Sequence, residues 1–331
     1  MRLFWTIAKG FGLVLAIAAI GVGAWVALNW TFVRNMATGA DVGVTDVDWY
    51  RPLERVEGAS DTPPLPRAQA GSISTEALAA AQAYSDEMDG IGLIVFHDGA
   101  IQHETYSDDF GPGRRSATFS MHKSVLGLLY MAALADGYVG SLDDRTGDYI
   151  EAWSDDPRGD ISLRDFLTMS SGLRLYSLAK GEMRAMKLVL SDTVTGTALK
   201  NPIERPAGET FSYDNASSQI AGAALQSALE RQGLTYAEYL SERLWKPVGA
   251  SDAFLWVARP GGEPRYFSGF QANLMDWLRV GLLIANKGEA GGDDGCFLRF
   301  FAMGAPSSSS PPSSFNIIST ITDDASTAPL P

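Results

Sequence analysis

The sequence predicts an α+β fold that follows an N-terminal transmembrane helix. Two short runs of β-type residues, at 91–96 and 101–106, flank a hairpin turn, and the segments on both sides repeat apolar residues at helical spacing. The transmembrane helix is predicted by an uncharged run of 24 residues near the N-terminus. Hydrophobic residues make up 46% of the 331 residues, so the chain can bury a sizeable core and is not disordered as a whole.

Charge and metal-ligating residues exclude several classes of function. The 39 acidic and 26 basic side chains leave a net charge of −13, which argues against binding to a nucleic-acid backbone. Cys296 is the single cysteine, so the chain has no intramolecular disulfide and no cysteine-rich metal site. The three histidines, His97, His103 and His122, are widely spread. We therefore expect no metal, no cofactor and no nucleic-acid partner.

Residues 1–36 are predicted to be a transmembrane anchor or a signal segment. As a helix, the uncharged run 10–33 would be about 36 Å long, enough to cross a hydrocarbon core of roughly 30 Å. Arg2 and Lys9 precede the run and aspartates follow it at 41, 46 and 48, which predicts a cytoplasmic N-terminus. We therefore expect a bacterial inner-membrane protein whose remaining chain faces the periplasm or the cell exterior. The alternative is secretion after signal cleavage near the small residues 22–24.

The next segment, residues 37–71, is predicted to be a proline-rich tether along the surface of the domain. Prolines at 52, 63, 64 and 66 interrupt helices and strands, so we expect no core to begin there. The globular domain is predicted to span residues 72–292. Its expected helices share apolar residues at helical spacing and lie at 74–88, 120–135, 161–167, 192–199, 217–231 and 236–244.

The first candidate site is the Ser-Met-His-Lys sequence at residues 120–123. Ser120 and Lys123 are three residues apart at a helix start, so their side chains can touch. A serine hydroxyl becomes a nucleophile when a neighbour takes its proton, and a partly buried lysine can have a pKa low enough to do so. Taken alone, the pair also fits a helix cap beside a solvated lysine. His122 lies about 100° around the helix from Lys123, so we expect it to pack or to lie at the rim of the site rather than act as a base.

The second candidate site is Phe-Ser-Tyr-Asp-Asn-Ala at residues 211–216. Tyr213 and Asn215 would lie on one side of an extended segment. The phenol can relay the serine proton, and the amide can hydrogen-bond the lysine and a substrate carbonyl. Taken alone, this sequence also fits a β-turn with a buried tyrosine.

Together with their surroundings, the two motifs resemble those of the β-lactamase-related serine hydrolases. That family includes class C β-lactamases, penicillin-binding peptidases and 6-aminohexanoate-dimer hydrolase. The matching stretches lie between residues 75 and 292. They are Ser-Met-His-Lys-Ser-Val-Leu-Gly-Leu-Leu at 120–129, Gly-Ser-Leu-Asp-Asp at 140–144, Ser-Leu-Arg-Asp-Phe-Leu-Thr-Met-Ser-Ser-Gly-Leu at 162–173, Pro-Ala-Gly-Glu-Thr-Phe-Ser-Tyr-Asp-Asn at 206–215, and Gly-Phe-Gln-Ala-Asn-Leu-Met-Asp-Trp-Leu-Arg-Val-Gly-Leu-Leu at 269–283.

The resemblance implies a serine β-lactamase/transpeptidase-like fold, in which helices flank an antiparallel sheet beside a helical subdomain. It implies acyl transfer on a small-molecule amide, ester or peptide without a metal or cofactor. Ser120 would be the acylated nucleophile and Lys123 its base or proton relay. Tyr213 would be a second general base and Asn215 a ligand of the substrate and of the lysine. The Ser120 backbone N–H would be an oxyanion donor.

The C-terminal segment departs from the family pattern. The resemblance implies a third motif, Lys-Thr-Gly or His-x-Gly, and no such triplet follows Asn215. Residues 293–331 are instead an atypical low-complexity tail, with six serines and two prolines at 307–314. A frameshift or a premature end would produce this pattern. Because loss of an oxyanion donor costs about 10²- to 10³-fold in rate, we expect an impaired hydrolase.

The sequence therefore predicts a membrane-anchored serine hydrolase with an incomplete catalytic domain. The alternative is a non-catalytic envelope protein that binds peptide or cell-wall fragments in the same pocket.

Overall fold

The structure, a computed structural model, describes residues 2–288, with side chains described from residue 11 onward. The predicted tail at 293–331 and the predicted domain end at 292 lie outside these residues. The helices of the described part are α1 (Arg2–Leu28), α2 (Trp30–Thr38), α3 (Thr75–Glu87), α4 (His122–Ala135), α5 (Leu163–Leu167), α6 (Met183–Leu190), α7 (Val194–Ala198), α8 (Asn215–Glu230), α9 (Tyr236–Leu240) and α10 (Leu274–Ala285). The strands are β1 (Leu53–Val56), β2 (Gly92–His97), β3 (Ala100–Tyr106), β4 (Arg115–Ala117), β5 (Ala253–Trp256) and β6 (Phe270–Asn273).

The strands form two antiparallel sheets, as the α+β prediction requires. Four strands pair in the order β1-β5-β6-β4, and β2 and β3 form a separate hairpin. The turn of that hairpin places Asp98 at φ 50° and Gly99 at φ 76°, the left-handed conformation that a two-residue hairpin turn needs. The predicted hairpin is therefore confirmed.

The N-terminal helix continues almost directly into the globular part. Its segment Phe11–Leu28 is long and apolar enough to cross a membrane, and none of it is buried against the protein. Backbone hydrogen bonds carry the helix across Asn29, whose N–H donates to the Trp25 carbonyl and whose carbonyl accepts from Val33 N–H. In α2, Phe32 is buried, and Asn35 donates from Nδ2 to the Leu190 carbonyl at the end of α6 (2.8 Å). The first contact with the domain thus comes one turn after the apolar helix ends.

Strand β1 lies inside the segment that the sequence predicted to be a tether. Val56 has no exposed surface, and Leu53 to Val56 pair with β5. The buried Tyr50 packs edge-on against Trp256 with ring centroids 5.2 Å apart. The expectation that residues 37–71 contain no strand and no core residue is therefore wrong. Pro52 directly precedes the strand and the other prolines follow it, so they bound the strand rather than interrupt it.

Helices α4 and α8 form the centre of the core and position the candidate site. Val125 and Leu129 of α4 and Ile220 and Leu225 of α8 are fully buried in one cluster. Tyr130, in the third turn of α4, donates its hydroxyl to the Ala221 carbonyl, in the second turn of α8 (2.7 Å). The starts of the two helices also meet, because Lys123 in the first turn of α4 hydrogen-bonds Asn215, the first residue of α8.

Candidate active site

Ser120 lies in a short 3₁₀ turn, Phe119–Met121, between β4 and α4. Thr118 fixes the start of this turn, because its N–H and its hydroxyl both donate to the Phe270 carbonyl of β6 (3.0 and 2.8 Å). Phe119 adopts φ 43°, a left-handed conformation that costs a non-glycine residue about 1–2 kcal/mol. Such strain is common at functional sites. The turn leaves Ser120 exposed at the edge of the sheet.

Lys123 joins the two sequence motifs. Its Nζ lies 3.0 Å from Ser120 Oγ, 2.9 Å from Asn215 Oδ1 and 2.8 Å from the Phe267 carbonyl oxygen. A neutral lysine has two N–H donors and one lone pair. The amide and carbonyl oxygens accept from the two donors, which leaves the lone pair for the serine hydroxyl. The charged ammonium would donate all three bonds, and the neutral amine would turn its lone pair to Ser120 and could take its proton.

Burial makes this neutral form accessible near neutral pH. Desolvation lowers the pKa of Lys123 from 10.5 to about 8, and the negative charge of Asp214 opposes this shift. Burial in turn raises the pKa of Asp214, although that carboxylate accepts hydrogen bonds from Ala216 N–H and Ser217 N–H (3.0 and 3.1 Å). These bonds cap α8 and fix Asn215 as its first residue.

Tyr213 approaches the lysine with its ring rather than its hydroxyl. Lys123 Nζ lies 4.9 Å from the centroid of the Tyr213 ring. Within the described residues the Tyr213 hydroxyl makes no hydrogen bond to Ser120 or to Lys123. The structure thus brings Ser120, Lys123 and Asn215 together by direct hydrogen bonds, and it places Tyr213 beside them.

A ladder of backbone hydrogen bonds holds the Tyr213 segment in place. Ser212 N–H donates to the Met169 carbonyl (2.7 Å), and Gly208 N–H donates to the Ser170 carbonyl (2.9 Å). Gly172, at φ 71°, accepts from Arg205 N–H, and a Cβ there would lie 2.2 Å from the Arg205 carbonyl oxygen. The backbones of the two stretches at 162–173 and 206–215 therefore bind each other.

His122 is buried and supports the turn that contains Phe267. Its Nδ1 lies 3.1 Å from the Arg265 carbonyl oxygen and its Nε2 lies 3.0 Å from the Tyr236 hydroxyl. Burial lowers the pKa of His122 to about 3, so the ring is neutral. Nδ1–H therefore donates to the carbonyl and Nε2 accepts from the tyrosine. Of the two positions expected for His122, the structure shows packing in the core.

The sequence did not indicate the role of the Phe267 carbonyl. Any residue type supplies a backbone carbonyl, so no side-chain pattern marks this third acceptor of Lys123. Its position depends on Arg265, a fully buried arginine that donates to the Val257 and Ser191 carbonyls (3.0 and 2.6 Å).

Comparison with known proteins identifies the family. The family model for beta-lactamases matches residues 76–323, which is most of the chain. This chain is a member of the beta-lactamase family. The match extends beyond residue 292, where the resemblance read from the sequence ends. No curated protein sequence matches the chain significantly.

Several solved structures share the fold of this beta-lactamase-family chain at low sequence identity. One is a Bacillus anthracis protein assigned as a 6-aminohexanoate-dimer hydrolase (TM-score 0.63, 19% identity, 75% of this chain and 69% of that chain). Another is a class C beta-lactamase from Rhodobacter sphaeroides (0.50, 21%, 66% and 67%). A third is a penicillin-binding protein from Bacillus halodurans (0.50, 14%, 62% and 74%). They confirm the predicted fold, and the family model confirms the suspected family.

Proposed function

We propose that the chain is a membrane-anchored serine hydrolase that cleaves an amide or ester through an acyl-enzyme on Ser120. The observation that carries this proposal is the position of Lys123 Nζ, which hydrogen-bonds both Ser120 Oγ and Asn215 Oδ1. The lowered pKa of this lysine supplies a base at neutral pH.

The reaction proceeds in two halves. Ser120 Oγ attacks the substrate carbonyl while its proton moves to Lys123 Nζ, and the Ser120 N–H stabilises the oxyanion. The carbon–nitrogen or carbon–oxygen bond then breaks, and the leaving group receives the proton from Lys123 directly or by way of Tyr213. Water next attacks the acyl ester, and its proton passes to Lys123. The acid leaves, and Ser120 regains its hydroxyl proton.

Turnover of two chromogenic substrates tests the proposal. Nitrocefin reports amide cleavage and p-nitrophenyl acetate reports ester cleavage. We expect Ser120→Ala to abolish the turnover of whichever substrate is cleaved. Ser124→Ala, at an exposed serine in the first turn of α4, should retain that turnover. A protein that only binds peptide or cell-wall fragments would show no turnover that depends on Ser120.

The expectation of weak turnover stays a prediction, because it concerns residues outside the described part of the chain. The rate measured for the purified 331-residue chain tests it directly. Turnover at ordinary enzymatic rates would contradict it.

Membrane anchoring is the second part of the proposal. It is supported by the exposed apolar helix and by the helical continuity across Asn29. The charge distribution predicts that Ser120 faces the periplasm. A reporter fused after Asp41 should therefore be active only outside the cytoplasm. Release of the chain from membranes by carbonate, with a new N-terminus near Trp25, would instead show signal cleavage.

A further inference from the structure

Large exposed apolar side chains lie in both of the segments that form the candidate site. Phe119 and Met121 flank Ser120 in the 3₁₀ turn and are 42% and 47% exposed. Phe211 and Tyr213, from the segment that reaches Lys123, are 65% and 52% exposed. These four residues are called the apolar rim below.

The backbone of the apolar rim is fixed on both sides of the site. Phe119 is held by the left-handed turn and contacts Tyr50 edge-on, with ring centroids 6.3 Å apart. Phe211 directly precedes Ser212, whose N–H is bound to the Met169 carbonyl. The apolar surface is therefore presented by anchored backbone.

Three of the four residues of the apolar rim adjoin the reacting groups, and Phe211 stands two residues before Tyr213. Tyr213 lies over Lys123 Nζ, and Phe119 and Met121 are the chain neighbours of Ser120. Exposed apolar surface beside a reactive group commonly binds a ligand. A substrate carbonyl that reaches Ser120 Oγ must place its substituents beside these side chains.

We propose that the apolar rim binds an apolar acyl group of the substrate, so that the enzyme prefers esters or amides of medium-chain aliphatic acids. This inference rests on the proposed acyl transfer at Ser120. Full burial of one methylene group is worth about fourfold in affinity, and an open rim covers about half of its surface. We therefore expect a gain of about twofold for each added methylene.

A series of p-nitrophenyl esters from acetate to hexanoate tests the rim. Each kcat/KM is divided by the rate of alkaline hydrolysis of the same ester, and Ser120→Ala supplies the background. The four added methylenes should raise the corrected kcat/KM about 16-fold. Phe211→Ala should lower this ratio to about fourfold. The matched control is Tyr84→Ala, at an aromatic residue on α3 that is 66% exposed, and it should keep the wild-type ratio.

The outcomes separate this inference from the proposed function. A flat series with hydrolysis that depends on Ser120, or an unchanged ratio in Phe211→Ala, would overturn the apolar rim alone. Absence of Ser120-dependent hydrolysis for every ester and for nitrocefin would overturn the proposed function. In that case, binding of the acetate and hexanoate esters to Ser120→Ala, measured by calorimetry, still tests the rim, and equal Kd values would contradict it. A Tm that falls by several degrees in Phe211→Ala but not in Tyr84→Ala would show that Phe211 packs against another part of the protein, which also overturns the inference.

Discussion

The pH dependence of acylation follows from the environment of Lys123. Only the neutral amine can accept the Ser120 proton, and burial lowers the pKa of this lysine to about 8. Because a lysine loses its charge as the pH rises, the acylation rate should increase with pH and level off above the folded-state pKa. The acidic limb therefore belongs to the lysine.

The expected magnitude can be worked out from that pKa. With a pKa of about 8, about a tenth of the lysine is neutral at pH 7, against about one part in 3,000 for an unperturbed pKa of 10.5. The site therefore gains about 300-fold in reactive base at neutral pH. Between pH 6 and pH 8 the neutral fraction, and with it the acylation rate, should rise about 50-fold.

Single-turnover acylation by p-nitrophenyl acetate between pH 5.5 and 9.5 measures this profile, with Ser120→Ala subtracted at each pH. Lys123→Arg is the control, because arginine keeps the positive charge but does not lose its proton in this range. We expect no Ser120-dependent acylation in Lys123→Arg, with an unchanged circular dichroism spectrum. A flat profile, a midpoint near 6, or acylation by the arginine variant would refute the role of Lys123 as the base.

Three further changes have defined outcomes. Asp214→Asn removes the negative charge that raises the pKa of Lys123, so the acidic limb of the acylation rate should move to lower pH. A shift to higher pH would contradict the effect assigned to the charge of Asp214. Tyr213→Phe should lower kcat/KM about a hundredfold, which is at the low end for general acid–base catalysis. Its Tm should be unchanged, because the ring is half-exposed. Full activity would exclude the phenol as a proton relay. Gly222→Ala places a Cβ 2.0 Å from the buried Tyr266 ring. The overpacking should outweigh the gain in helix propensity, so thermal denaturation should show a Tm lower by several degrees. An unchanged Tm would contradict this packing.

The parts of the site that lie at helix starts could be predicted from the sequence. The spacing of Ser120 and Lys123 predicts contact, and the structure shows their hydrogen bond. Asn215 was predicted to bind the lysine, and the structure shows that contact too. These predictions succeed because local helical geometry and the α4–α8 packing fix side-chain positions. Their catalytic roles remain proposals.

Other features gave no sequence signal, for physical reasons. Strands β4, β5 and β6 have only three or four residues, too few for alternation to be recognised, and their burial depends on partners far along the chain. Helix α6 was missed as well, although its Ala185 and Leu188 are buried. The third contact of Lys123 comes from the Phe267 backbone, which no residue pattern marks. The direction of the Tyr213 hydroxyl depends on rotamers that spacing does not determine.

The central claim is that Ser120 becomes covalently acylated with Lys123 as its base. Its most direct test is reaction of the full chain with a fluorophosphonate probe, followed by mass spectrometry of the intact protein and of its peptides. We expect one adduct on the peptide that contains Ser120, and none in Ser120→Ala or Lys123→Ala. An adduct on another residue, or modification of Ser120 that survives Lys123→Ala, would contradict the claim.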